Sequence, residues 1–219
     1  MDLGAAAGAR PRPPLRMAET SRPSKRQLEI RLSRLEILQT PTLKLEQYPV
    51  SARAAAELLY MAGFEHDDLK GRVVDLGTGT GRLAIGAALM GAERVTGVDV
   101  DPNALLLAQK NAESAGTRVE WVQSSVQGIS GKFDTVVMNP PYGTRMVHAD
   151  LRFLDEALRL APVTYSIHKS STRNFLAKYL LRSNHRLDEA RSMGMEIPHL
   201  FKFHRRKWKT VEVDLCRIV

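Results

Sequence analysis

At 219 residues, 43% hydrophobic and 26% charged, the chain has the length and composition of one soluble domain with a sizeable core. No apolar run approaches the roughly 18–20 residues of a membrane span. A single cysteine, Cys216, excludes an internal disulfide, and the six histidines lack Cys/His spacing for zinc, so a reducing cytoplasmic setting and no metal are expected. A net charge of +8 and a pI near 9.8 point to a polyanionic partner.

Residues 1–23, rich in Ala, Gly, Pro and Arg, lack periodicity and read as a disordered extension, with Met17 a candidate start; residues 24–219 read as the domain. Ser24 caps a helix whose Leu28, Leu32, Leu35 and Leu38 form one apolar stripe. Its Lys25, Arg26, Arg31 and Arg34 form either a phosphate-tracking face or a solvated one. Leu45 to Val50 is a polar, aromatic, proline-bearing segment, a candidate ligand-covering loop. A helix capped by Ser51 follows, with Gly63 as its expected stop.

The chain then changes character. Arg72–Leu76 reads as a buried strand, Gly77-Thr78-Gly79-Thr80-Gly81 as a loop and Leu83–Leu89 as a helix; a second strand from Arg94 ends in Asp99. Strand, glycine loop, helix, strand and acid compose a nucleotide-binding βαβ half. Glycines let backbone approach a ligand, and an acid 18 residues beyond Gly81 can hold two ribose hydroxyls. The Gly-x-Gly-x-Gly spacing favours a nucleoside without a pyrophosphate. Asp101-Pro102 caps a helix to about Ala115, and a strand from Val119 to Gln123 leads to Ser124-Ser125-Val126, where an adenine ring is expected.

The strand Phe133–Met138 ends in Asn139-Pro140-Pro141-Tyr142. Prolines fix φ and donate no hydrogen bonds, so this is a stiff ledge with one amide, exposed carbonyls and one flat ring. A planar amine conjugated to a π-system is a poor nucleophile. Acceptors aimed at its two N–H bonds, here the Asn139 oxygen and the Pro140 carbonyl, pull it toward tetrahedral geometry and stabilise the developing positive charge. Tyr142 is placed to stack on an extruded base. Residues 143–149 read as a substrate loop, and Asp150 opens a helix with Phe153, Leu154, Ala157, Leu158 and Ala161 on its apolar face. A strand from Pro162 to Ile167 ends at a polar cluster, His168 to Arg173, either an RNA contact or a capped turn. Finally, strands 186–197 and 210–219 flank a basic aromatic turn. Its Lys202, Arg205, Arg206 and Lys207 suit RNA, and a solvent-exposed hairpin is the other reading.

The glycine loop, Asp99 and the Asn-Pro-Pro-Tyr ledge, in this order, resemble class I S-adenosylmethionine-dependent methyltransferases acting on amino groups. Leu45-Glu46-Gln47-Tyr48-Pro49, Tyr165 to Arg173, Phe201-Lys202-Phe203-His204 and Val211 to Leu215 are similar to the methyltransferase-like protein 5 family and its archaeal relatives, over about residues 24–218. The resemblance implies a Rossmann-like α/β fold, a seven-stranded sheet with helices on both faces and one antiparallel strand at the edge. It implies S-adenosyl-L-methionine as cofactor, held by Gln47, Asp75, Gly77, Gly79, Thr80, Gly81, Asp99, Ser125, Val126 and Asn139. It implies catalysis at Asn139, Pro140, Pro141 and Tyr142, with His168, Lys169 and the basic turn toward RNA. The implied substrate is N6 of an adenosine in small-subunit ribosomal RNA, and the implied partner is a small zinc-binding activator pairing with a sheet edge. Val50 stands where the family can carry Thr, and Ser125 where it can carry an acid. Three alternatives share features with this reading. One is a release-factor glutamine methyltransferase, although only about 70 residues precede the glycine loop here, too few for a separate substrate domain. The others are a DNA adenine methyltransferase and a non-catalytic RNA-binding scaffold.

Overall fold

A computed structural model describes residues 22–39, 47–141, 149–198 and 208–219. Helix α1 spans Lys25–Ser33, and its start is a full capping box. Ser24 Oγ accepts from Gln27 N, while the Gln27 side chain accepts from Ser24 N. Leu28 and Leu32 are fully buried on it. The expected stripe is longer than the helix: Leu35 and Leu38 lie beyond its end, and Leu38 turns toward the central cleft.

Helix α2, Ala52–Tyr60, starts at Ser51, whose Oγ accepts from Ala54 N at 3.1 Å. Gly63 does not stop it. The chain continues through a π-helical turn, Met61–Glu65. A Cβ at Gly63 would lie 3.0 Å from Met90 and 3.2 Å from Leu69, so this glycine serves close packing rather than termination.

The strands are β1 (Arg72–Leu76), β2 (Arg94–Asp99), β3 (Glu120–Gln123), β4 (Thr135–Met138), β5 (Val163–Lys169), β6 (Leu187–Pro198) and β7 (Trp208–Ile218). They form one seven-stranded sheet in the order β3-β2-β1-β4-β5-β7-β6. The first five run parallel, and β7 enters antiparallel between β5 and β6 at that edge. The remaining helices are α3 (Arg82–Leu89), α4 (Pro102–Ala115), α5 (Ala149–Leu160) and α6 (Arg173–Arg182).

The central strands are apolar on both sides because both are covered. Val73 and Val137 point into a core with α1, α2 and α3. Their neighbours Val74, Val136 and Met138 point into a second core with Leu154 and Leu160 of α5 and Leu176 and Leu180 of α6. The strand order reverses between β1 and β4. In such sheets the crevice at the carboxyl ends of the strands beside the reversal is where ligands bind.

Strand β5 reaches two residues past the expected Ile167, because β7 pairs with it as far as Lys169 opposite Val213. His168 is therefore a strand residue. No helix among the described residues is long and apolar enough to cross a membrane. The expected extension 1–23 falls almost wholly outside the described residues; Arg22 is placed, donating to the Gly63 carbonyl and to Asp67.

Candidate active site

The crevice holds a cavity of about 270 Å³, lined from the ends of β1, β2, β3 and β4 and from the segment before α2. The glycine loop forms its floor. Asp75, at the end of β1, is buried and organises that loop: its Oδ2 accepts from Thr78 Oγ1 at 2.6 Å and from Ala84 N at 2.9 Å. Burial pushes its carboxyl up to about 7. Its Oδ1 has no partner among the described residues. Gly79 has φ +54°, and a Cβ there would meet nothing within 4 Å, so its backbone is open to a ligand.

Asp99 stands opposite, at the end of β2. Its Oδ2 accepts from Gly79 N at 2.8 Å and its Oδ1 from Asp101 N at 3.0 Å. Each oxygen keeps a lone pair for a further donor. Burial raises this carboxyl as well. Ser124, Ser125, Val126 and Gln127 close the β3 side.

Asn139 sits on the β4 side. Its Nδ2 donates to the Tyr48 carbonyl at 3.2 Å, and its Oδ1 is buried without a partner among the described residues. An unpaired buried acceptor costs about 1–3 kcal/mol, and such atoms in folded proteins mark sites that a ligand completes. Asp75 and Asn139, which each carry one such oxygen, line one cavity that also has an open glycine backbone. This donor and acceptor set fits a cationic amino-acid-bearing nucleoside.

Most of the expected cofactor residues come together here: Gln47, Asp75, Gly77, Gly79, Thr80, Asp99, Ser125, Val126 and Asn139 all line the cavity. Gly81 does not. A Cβ on it would lie 2.7 Å from Trp121, so its φ of +86° serves the packing of loop against strand β3. Pro141 lines the same cavity, whereas Pro140 faces a small recess shared with Asp150, His168, Lys169 and Thr172. Tyr142, Lys202, Arg205, Arg206 and Lys207 lie outside the described residues.

His168 departs from its expected role as an RNA contact. It is 6% exposed, its Nε2 lies 2.8 Å from Ser166 Oγ, and burial drives its imidazole down to about 4, so it is neutral at pH 7. A buried neutral ring behind the proline ledge cannot present charge to a phosphate. Arg173, in the same polar cluster, is spent internally: its Nε and Nη2 donate to the buried carboxylate of Asp214 at 2.6 and 2.7 Å. Ser170 and Ser192 add hydroxyls to that carboxylate, which is held below its usual range.

Several lining residues escaped sequence reasoning. Phe153 lies over Gly77, where a Cβ would approach its ring to 2.7 Å; its apolar spacing had suggested the core. Arg82 lines the cavity too, and Tyr48 does so from within the segment expected to cover a ligand. No periodicity marks them, because their partners are distant in sequence.

The chain matches the Methyltransferase small domain family over residues 54–162. It is 37% identical to the rRNA N(6)-adenosine-methyltransferase of Drosophila melanogaster over 201 residues, 88% of this chain and 94% of that one. The chain belongs to that family of class I methyltransferases. A crystal structure of a Pyrococcus horikoshii protein described as a candidate RNA methyltransferase superposes with a TM-score of 0.83 at 36% identity, covering 89% of this chain and 96% of that one. The release factor glutamine methyltransferase of Deinococcus radiodurans is 51% identical, but over 76 residues only, 33% of this chain and 27% of that one. As a member of this class the chain uses S-adenosyl-L-methionine, and the cavity brings together the polar groups such a ligand needs, the Asp99 carboxylate, the open Gly79 backbone and the Ser125-Val126 segment.

Proposed function

We propose that this chain transfers a methyl group from S-adenosyl-L-methionine to the exocyclic N6 of an adenine in RNA, with small-subunit ribosomal RNA as its substrate. The observation that carries this reading is Asn139: it lines the cavity, its Nδ2 is tied to the Tyr48 carbonyl, and its Oδ1 is a buried acceptor with no partner among the described residues. Bound, the cofactor supplies an electrophilic methyl on a sulfonium, a good leaving group. Asn139 Oδ1 accepts one N–H of the target amine, and the Pro140 carbonyl accepts the other. Together they draw the nitrogen out of conjugation and stabilise the charge that develops on it. Pro140 and Pro141 hold these acceptors still, since neither can rotate about φ. Tyr142 stacks on the extruded base. No side-chain base is required, because the cationic methylated amine releases its proton to water.

Lys169, beside the ledge at the end of β5, and Lys202, Arg205, Arg206 and Lys207 supply phosphate contacts. A small zinc-binding activator pairs with a free sheet edge by adding a strand. The chain works in the cytoplasm, and residues 24–219 suffice for activity. A glutamine methyltransferase shares the ledge chemistry, but the likeness to proteins of that kind spans 33% and 48% of this chain, against 88% for the rRNA methyltransferase.

The test is to incubate purified protein, with and without the activator, with labelled cofactor and small-subunit RNA, then digest the RNA and identify the labelled nucleoside. Label in N6-methyladenosine is expected. Unlabelled RNA with label in a release-factor glutamine would move the reading to the protein substrate.

A further inference from the structure

Arg82 is the first residue of α3, directly after the glycine loop. A cation at a helix N-terminus sits at the unfavourable end of the dipole, so helix stability does not account for it. Among the described residues no carboxylate pairs with it. Two of its nitrogens donate instead to backbone carbonyls, Nη1 to Val50 at 2.5 Å and Nη2 to Leu35 at 3.3 Å, while Nε is buried without a partner among the described residues. Leu35 follows α1, and Val50 immediately precedes the α2 cap. One guanidinium therefore joins the two ends of the segment 35–50.

Residues 47–50 reach the reacting side of the cavity. Gln47 Nε2 donates to Asp101 Oδ2 at 2.8 Å, just past β2, and the Tyr48 carbonyl accepts from Asn139 Nδ2 at 3.2 Å, just past β4. Residues 47–50 thus cross the cleft and are tied at Asp101, Asn139 and Arg82. The tie at Asn139 has a chemical consequence. The terminal torsion of an asparagine is broad and nearly two-fold, so its own rotamer preference does not decide which way the amide turns. The hydrogen bond to Tyr48 does. With Nδ2 engaged there, Oδ1 is the acceptor left without a partner among the described residues. With the amide reversed, a donor would face a donor.

We propose that Arg82 is a positioning residue for Asn139, acting through the backbone of residues 48–50. This rests on the function proposed above. Removing the guanidinium leaves the Val50 carbonyl without its donor, lets the Tyr48 carbonyl drift, and frees the Asn139 amide to turn.

The test combines Arg82→Met and Arg82→Lys with Asn139→Asp, which keeps an acceptor but has no Nδ2. Single-turnover rates are measured with RNA and cofactor both saturating, so that weaker binding is removed from the comparison. Arg82→Met is expected to lose about 10–100-fold, the scale of an ångström-level misplacement. Arg82→Lys, with one fewer fixed donor pair, recovers part of it. In the Asn139→Asp background, Arg82→Met should add less than about twofold, because the tie it supports is already gone. The second readout needs no substrate: the side-chain amide resonances of Asn139, assigned by their loss in Asn139→Asp, should shift and exchange faster in Arg82→Met. Full activity with a native Asn139 signal in Arg82→Met overturns the proposal, as do rate losses that multiply in the double variant. Should Arg82→Met not fold, the signal in Arg82→Lys decides, a displaced one supporting and a native one refuting. If the wild type does not methylate RNA, the proposed function falls, while the amide signal still reports on the coupling itself.

Discussion

Replacing Asn139 by alanine separates catalysis from stability in an unusual way. In most buried polar positions the side chain stabilises the fold, and its removal costs both. Here the side chain makes one neutral hydrogen bond, to the Tyr48 carbonyl at 3.2 Å, and buries a second polar atom unpaired. The bond contributes about 0.5–1.5 kcal/mol, whereas the orphan Oδ1 costs about 1–3 kcal/mol. Truncation removes both terms, so stability should stay within about 1 kcal/mol of the wild type or rise. Turnover should behave oppositely. A preorganised group aimed at developing charge is worth about 2.7–4 kcal/mol, or 10²–10³ in rate. The assay pairs denaturant unfolding with label transfer to RNA at saturating cofactor, and cofactor binding is followed by calorimetry. A folded Asn139→Ala protein that binds cofactor and turns over within about fivefold of the wild type would refute the ledge mechanism. A loss of turnover that merely tracks unfolding would refute the stability reasoning.

Other outcomes follow from the same geometry. Gly79→Ala should fold with a small penalty for its positive φ and lose cofactor affinity, because its Cβ projects into open space beside the ligand. Gly81→Ala should instead lower the melting temperature, because its Cβ meets Trp121 at 2.7 Å; equal effects of the two on calorimetry and melting would contradict the assignment. Asp75 and His168 should oppose each other in pH dependence. Asp75, raised from 3.8 to about 7, binds its proton more tightly when folded, so its contribution is present at low pH and lost as pH rises through that window. His168, lowered from 6.5 to about 4, loses stability as pH falls through its own window. At ~1.4 kcal/mol per unit these amount to about 4–5 kcal/mol for Asp75 and about 3–4 kcal/mol for His168. Asp75→Asn should therefore expose a steep acid loss below pH 6.5 that the wild type masks, and parallel urea-unfolding curves across pH 4.5–8 would count against it. Arg173→Ala should lower the melting temperature more than Asp214→Asn, because it strands a buried carboxylate that the second change neutralises; the reverse order would show that the pair is not what joins α6 to β7.

Reading the chain in order was enough for every feature whose cause is local. Short apolar runs mark β1, β2 and β4, since a strand buried on both faces must be largely apolar throughout. Gly77 and Gly79 mark a loop because positive φ costs any other residue. Asp99, at the end of β2, and Asn139-Pro140-Pro141, at the end of β4, are legible because a strand end, a carboxylate and two prolines are each visible within a few residues. Their convergence on one crevice follows from parallel strands pointing the same way. What the tertiary structure alone decided concerns partners far apart in the chain. His168 looks like a surface contact until β7 pairs alongside β5 and buries it. Phe153 has core spacing, yet the approach of α5 sets it over the glycine loop. Gly81 carries the loop signature, yet Trp121 on β3 claims its space. Arg82 has no signature in the sequence, and only the fold brings the Leu35 and Val50 carbonyls to it. In each case the residue's chemistry is written in its side chain. Which donor meets which acceptor is set by the packing of elements separated by tens of residues, and spacing along a chain carries no record of that.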